Sequence, residues 1–250
     1  MCGRFASSSK PEDLVELFGV EQWDPAETLA PNWNVAPTNS AFVVLERVAK
    51  GSSRVVRQLR VLRWGLVPQW SRSAETAVKM INARSDTVHE KPAYRQAFTS
   101  RRCILPVDGY YEWQTVPAER GKPRKKPFFV SRADGAPLAL AGLYEFWRNR
   151  AVPADHPEAW LVTFTVVTTD AEESLAPIHE RMPLFLDPAS FDAWLDPGLS
   201  EPDELRRLLI PPPPGALLAT PVSPAVGSIR NNGPELTEFW EEVEYETTLF

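Results

Sequence analysis

Only two cysteines, Cys2 and Cys103, occur in 250 residues, too few for the disulfide framework of a small secreted domain. The three histidines, His89, His156 and His179, lie far apart and have no cysteine at ligand spacing. No metal site and no cofactor are therefore expected. No apolar run approaches the roughly 18 residues of a membrane span, and the opening MCGRFASSSK lacks the apolar core of a secretory signal. The expected setting is reduced, soluble and intracellular: cytoplasmic in a bacterium, nuclear in a eukaryote. No repeat and no strand–helix–strand alternation is visible, which excludes solenoids and doubly wound sheets.

Aromatic residues and proline are what the chain has in quantity. With nine Trp, twelve Phe and 43% hydrophobic residues it can bury a large core, and its length fits one domain spanning 1–250. Proline at 25 positions argues for many short elements joined by turns. Net charge is −6, but residues 1–130 carry 20 Lys and Arg against 13 Asp and Glu, while 131–250 carry 7 against 20. A basic half on an acidic protein can furnish a local phosphate-binding field, although sequence halves need not map onto faces.

Apolar alternation predicts strands over 41–48 and 54–64, joined as a hairpin through AKGSS. Further strands are predicted over 102–107, 110–115, 127–131, 137–143, 160–169 and 182–186. Helices are expected at 11–18, with proline at the start and acids in the first turn, and near 90–98, 171–176, 188–195 and 201–209. Residues 117–126 read as an exposed basic loop, and the proline run at 211–214 as a stiff connector. The fold class is α+β: a curved, barrel-like, mostly antiparallel sheet with short peripheral helices.

Cys2 is the most informative position for chemistry. Methionine removal before a small second residue would leave it a free α-amine beside its thiol. The reference pKa values, about 7.7–8.0 for the amine and about 8.5 for the thiol, make both partly reactive near neutrality. Toward an aldehyde, the amine forms an imine and the thiol closes on the same carbon, giving a five-membered thiazolidine. A cysteine at position 2 can equally be a terminal accident. Cys103, inside the apolar RCILPV, reads as a small buried hydrophobe.

The chain contains MCGRF, WGLVP at 64–68, INARSDTV at 81–88, RRCILPVDGYYEW at 101–113, AGLYEFW at 141–147, TFTVVTTDA at 163–171 and IHERMP at 178–183. In order and approximate spacing these resemble the SOS-response-associated peptidase (SRAP) family. The resemblance runs from residue 2 to about 195; residues 196–250 match weakly and read as an extension packed on the same domain. It implies a protein that crosslinks itself to abasic sites in single-stranded DNA, and one described as self-processing.

Carried over residue by residue, the resemblance makes Cys2 the nucleophile and Asn82 the amide that orients the amine or the sugar. Glu112 becomes the proton acceptor that assists ring opening, and His179 the donor to the departing ring oxygen. Arg4 and Arg84, beside these motifs, are expected to hold flanking phosphates. Trp113 and Trp70 could stack on bases or serve in the core, and Thr168 could bind phosphate or sugar. The Lys/Arg-rich stretch 120–126 could add a favourable field. Two alternatives stay open: a thiol peptidase acting on other proteins, and a non-covalent reader of modified bases. The expected partner is single-stranded DNA containing abasic sites, with no membrane and no obligate protein partner.

Overall fold

The alternation over 41–64 folds as a long antiparallel hairpin, Ser40–Val48 against Val55–Trp64, with Val44 opposite Leu59. In the computed structural model, which describes residues 2–49, 51–117, 122–211 and 213–241, these are strands β4 and β5. They follow the short β1 (Arg4–Ser7), β2 (Gln22–Trp23) and β3 (Asn32–Val35) and precede β6 (Asn82–Arg84). Next come β7 (Arg102–Val107), β8 (Gly109–Val116), β9 (Arg124–Arg132), β10 (Leu138–Arg148) and β11 (Trp160–Asp170). The last two strands are β12 (Arg181–Pro183) and β13 (Leu217–Pro221). Helices α1 (Pro11–Leu17), α2 (Arg95–Ser100), α3 (Phe191–Leu195) and α4 (Pro202–Arg207) are all short. Among the described residues no helix is long and apolar enough to cross a membrane.

Strands β10, β7, β4 and β5 follow β11 in one sheet, and β5 then pairs back onto β11 in parallel, Thr163 with Arg63 and Phe164 with Trp64. That pairing closes a five-stranded barrel and removes two open edges. A second sheet has the order β13-β9-β8-β1-β3. The barrel strands are buried on both faces. Alternate residues of β4 diverge, Val43 and Leu45 into the core shared with the second sheet, Phe42 and Val44 into a core under the helices. Two-sided burial explains why RCILPV reads as a continuous apolar run. Trp64 joins the two sheets, its ring 4.8 Å from Phe5 and stacked at 6.5 Å on Phe164.

The α+β, barrel-like reading stands, and the long strands fall within a few residues of their expected places. Five short strands, β1, β2, β3, β6 and β13, were not legible in the pattern. The expected helix at 171–176 is a run of turns, Leu175 and Ala176 both donating to the Glu172 carbonyl. Pro177 lacks the donor needed to carry a helix into a second turn. The strand expected over 182–186 stops at Pro183. The basic loop is shorter than expected, since β9 begins at Arg124; residues 118–121 lie outside the described set, as does Pro212 of the proline run.

Close strand approach makes one glycine indispensable. A Cβ on Gly142 would sit 2.9 Å from Cys103 Sγ and 3.1 Å from the Thr165 carbonyl oxygen. Gly142→Ala should lower stability by about 1–3 kcal/mol, the usual cost of overpacking. Cys103→Ala in the same chain should recover part of that loss. Urea denaturation of the two variants checks it.

Candidate active site

Antiparallel pairing of β1 with β8, Arg4 opposite Tyr111 and Phe5 opposite Tyr110, runs the N-terminal residues alongside Glu112. Cys2 is fully buried in the core shared by the two sheets. Asn82 opens β6, which lies parallel to β11 with Val166 opposite Asn82. Its Nδ2 donates to the Cys2 carbonyl at 2.8 Å, while its Oδ1 is buried with no hydrogen-bond partner among the described residues. An acceptor is thus held beside Cys2 with capacity to spare.

Glu112 and Tyr110 share one face of β8 by strand alternation, and this face meets the turns before β12. Together with Val130, Leu175, Ile178, His179 and Arg181 they line a narrow cleft. The His179 Nδ1 accepts the backbone N–H of Arg181 at 2.9 Å. In the neutral ring the proton therefore resides on Nε2, which makes that nitrogen the donor. The structure thus brings Cys2, Asn82, Glu112 and His179 together, from two strands, one turn and the segment ahead of β1.

Burial pushes the Cys2 thiol well above its ordinary value, and the negative charge of Glu112 raises it further. The thiol is consequently protonated at neutral pH. Burial likewise raises the Tyr110 phenol, with the negative charge of Glu112 adding, so Tyr110 remains a proton-bearing donor in the cleft wall.

The residues assigned to DNA are dispersed. Arg84 shares the face of β6 with Asn82 and is exposed, but its guanidinium forks onto Asp86 at 2.7–3.2 Å. Arg4 faces the opposite side of the second sheet. Its Nη1 donates to Asn34 Oδ1 at 2.6 Å and the Val226 carbonyl at 3.1 Å, and its Nη2 to the Gly227 carbonyl at 3.4 Å. Trp113, next to Glu112 in sequence, also projects to that far side and packs with Tyr111, Phe129 and Val226. Thr168 is buried, its hydroxyl donating to the Ala83 carbonyl and accepting from Arg181. Trp70 is 68% exposed on the loop after β5.

Sequence reasoning missed Tyr110 and Arg181. Arg181 is buried and donates to Asp170 at 2.8 Å and to the Thr168 carbonyl at 2.6 Å, which leaves it as a fixed positive wall of the cleft. Both had a signal: Tyr110 stands two residues before Glu112 on one strand, and Arg181 lies inside IHERMP. Among the described residues no cluster of three or more His, Cys, Asp or Glu could hold a metal.

A family model described as SOS response associated peptidase (SRAP) matches residues 1–229. The abasic site processing protein YoqW of Bacillus subtilis is 38% identical over 238 residues, covering 95% of this chain and 99% of its own. The abasic site processing protein HMCES of Xenopus tropicalis is 30% identical over 270 residues, 94% of this chain and 77% of its own. A crystal structure of a protein from Bacteroides thetaiotaomicron superposes with a TM-score of 0.78 at 27% identity, covering 96% of this chain and 100% of that one.

The two arginines should separate on mutation. Arg4→Ala leaves two backbone carbonyls and the buried Asn34 short of a half-buried donor, so stability should fall by about 1–3 kcal/mol. Arg84→Ala, at the surface, should change stability by no more than about 0.5 kcal/mol. Equal losses in chemical denaturation would mean that Arg4 is not the strut described.

Proposed function

The chain belongs to the SOS response associated peptidase family, and on that footing we propose that it processes abasic sites in DNA by covalent capture on Cys2. The substrate is single-stranded DNA carrying an abasic site, and the chain 1–250 acts as one SRAP-like domain. Loss of Met1, by self-processing or by a methionine aminopeptidase, generates the α-amine. The amine adds to the aldehyde carbon of the ring-opened sugar, water leaves, and the resulting imine is closed by the thiol as a thiazolidine. Glu112 takes the proton released as the amine attacks, and His179 delivers a proton from Nε2 to the departing ring oxygen. Asn82 fixes the Cys2 backbone and offers Oδ1 to the amine. A protein working on DNA belongs where DNA is, in the cytoplasm of a bacterium or the nucleus of a eukaryote.

The observation that carries this reading is the hydrogen bond from Asn82 to the Cys2 carbonyl at 2.8 Å, in a core where the Glu112 charge also reaches Cys2. The curated relatives named abasic site processing proteins support the same substrate. For DNA contact, Arg84 would exchange Asp86 for a phosphate and Trp70 would stack on a base. Arg4, Trp113 and Thr168 support the site from within.

Incubation with abasic single-stranded DNA, followed by a denaturing gel, tests the chemistry. Wild type should give a heat-stable adduct. Cys2→Ser should give one that survives only after borohydride reduction, and a protein retaining Met1 none at all. A stable adduct from Met1-retaining protein would take the amine out of the mechanism.

Glu112→Gln preserves shape and removes the base. Single-turnover adduct formation at saturating DNA should slow by about 10²-fold, with DNA affinity unchanged or slightly higher. An unchanged rate would mean that the Cys2 amine reacts unaided.

A further inference from the structure

The loop that follows β5 leaves the barrel at Gly65, whose φ of +105° suits no other residue and whose Cβ would lie 2.5 Å from the Ala77 carbonyl oxygen. It then carries an exposed tryptophan, Trp70, between two anchored neighbours. Before it, the Val67 N–H donates to Thr163 Oγ1 at 2.9 Å and Gln69 Nε2 donates to Glu145 Oε1 at 3.0 Å. After it, the Trp147 indole N–H donates to the Ser71 carbonyl at 2.7 Å. All three anchors sit together: Glu145 is opposite Thr163 in the β10–β11 ladder, and Trp147 shares the face of β10 with Glu145.

Glu145 is 3% exposed. Its Oε2 accepts from Arg101 at 2.8 Å, and its Oε1 also accepts the Phe146 N–H at 2.8 Å. A buried carboxylate is costly and is compensated only when every lone pair is engaged. Here the engagement terminates on Gln69, the residue before the exposed indole. An indole that fluctuated freely would lose entropy on stacking; one already held loses little.

From this we infer that Glu145 is a positioning residue that holds the Trp70 loop as a rigid platform for a nucleobase beside the lesion. The inference rests on the reading that single-stranded DNA is the substrate. Thr163 stands three residues before Val166, the partner of Asn82, so the loop anchor lies about 10 Å along β11 from the reacting end. That spacing suits a nucleotide flanking the captured sugar. Glu145 touches neither DNA nor the reacting atoms; it acts through Gln69.

The test is a double-mutant cycle on lesion-free single-stranded DNA, with abasic DNA in parallel. Trp70→Ala should weaken binding roughly tenfold, within the range for one stacked base. Gln69→Ala removes the anchor, keeps Arg101 on Glu145 Oε2, and should weaken binding about threefold. The double variant should bind no more weakly than Trp70→Ala alone. Glu145→Ala should match Gln69→Ala, and if it fails to fold the Gln69 cycle decides by itself. The single-turnover crosslinking rate at saturating abasic DNA should be unchanged in Gln69→Ala. Losses that multiply in the double variant, unchanged binding in Gln69→Ala, or a slowed saturated rate would each overturn the inference. Absence of any adduct from wild type would instead sink the abasic-site reading, because the cycle is measured on intact strands.

Discussion

The Trp64 indole holds the site together. Its N–H donates to the Ile81 carbonyl at 3.0 Å, one residue before Asn82, and its ring lies against Phe5, one residue beyond Arg4 on the strand that begins near Cys2. A single fully buried side chain thus sets the separation of the strand that begins near Cys2 and the strand that carries Asn82. The parallel pairing of Phe164 with Trp64 sets the same residue into the closed barrel. Around this contact the rest follows: β6 takes its place on β11, and β12 returns His179 and Arg181 to the far side of the cleft.

Much of this was legible because burial writes itself into composition. Strands such as Ser40–Val48 and Trp160–Asp170 are long and apolar enough to be recognised from pattern. Two- to four-residue strands such as Asn82–Arg84 carry no period of their own; they form because a neighbouring strand offers its edge. That Cys2, Asn82, Glu112 and His179 belong to one region was legible through the motifs and the resemblance they carry, while the hydrogen-bond partners of Arg4, Arg84 and Thr168 were not. Arg4 and Arg84 look alike in sequence, yet one is spent on the carbonyls of a distant C-terminal turn and the other lies on the surface against Asp86. Only tertiary structure supplies Val226 and Gly227 as acceptors. Thr168 shows the same limit, since a hydroxyl in an apolar strand can face solvent or a neighbour's carbonyl with no change in local pattern.

The electrostatics of the cleft set an order of events for the proposed capture. Desolvation holds the Cys2 thiol in its neutral form, so at neutral pH the amine is the group available to meet an aldehyde first. The thiol then needs only to lose its proton to a base already at hand, and Glu112 is the charge that senses it. Tyr110 and His179 place donors on the same wall. Covalent capture under these conditions is a property of the assembled pocket, since an exposed terminal cysteine would offer thiolate to any passing electrophile.

The strand Gly109–Val116 carries a further consequence. Glu112 and Trp113 are adjacent in the chain and point to opposite sides of the sheet, one into the cleft and one into the packing beneath the C-terminal turns. A slip of one position would exchange a carboxylate for an indole in the cleft, and bury the charge where the indole had been. Gly109, whose missing Cβ makes room for Phe129 and the Val130 carbonyl, holds the strand against that slip. The segment from Gly109 to Glu112 therefore tolerates changes of letter far better than changes of length. Insertions and deletions in descendants of this chain should accumulate in the connection ahead of Arg124 and stop short of the tyrosines.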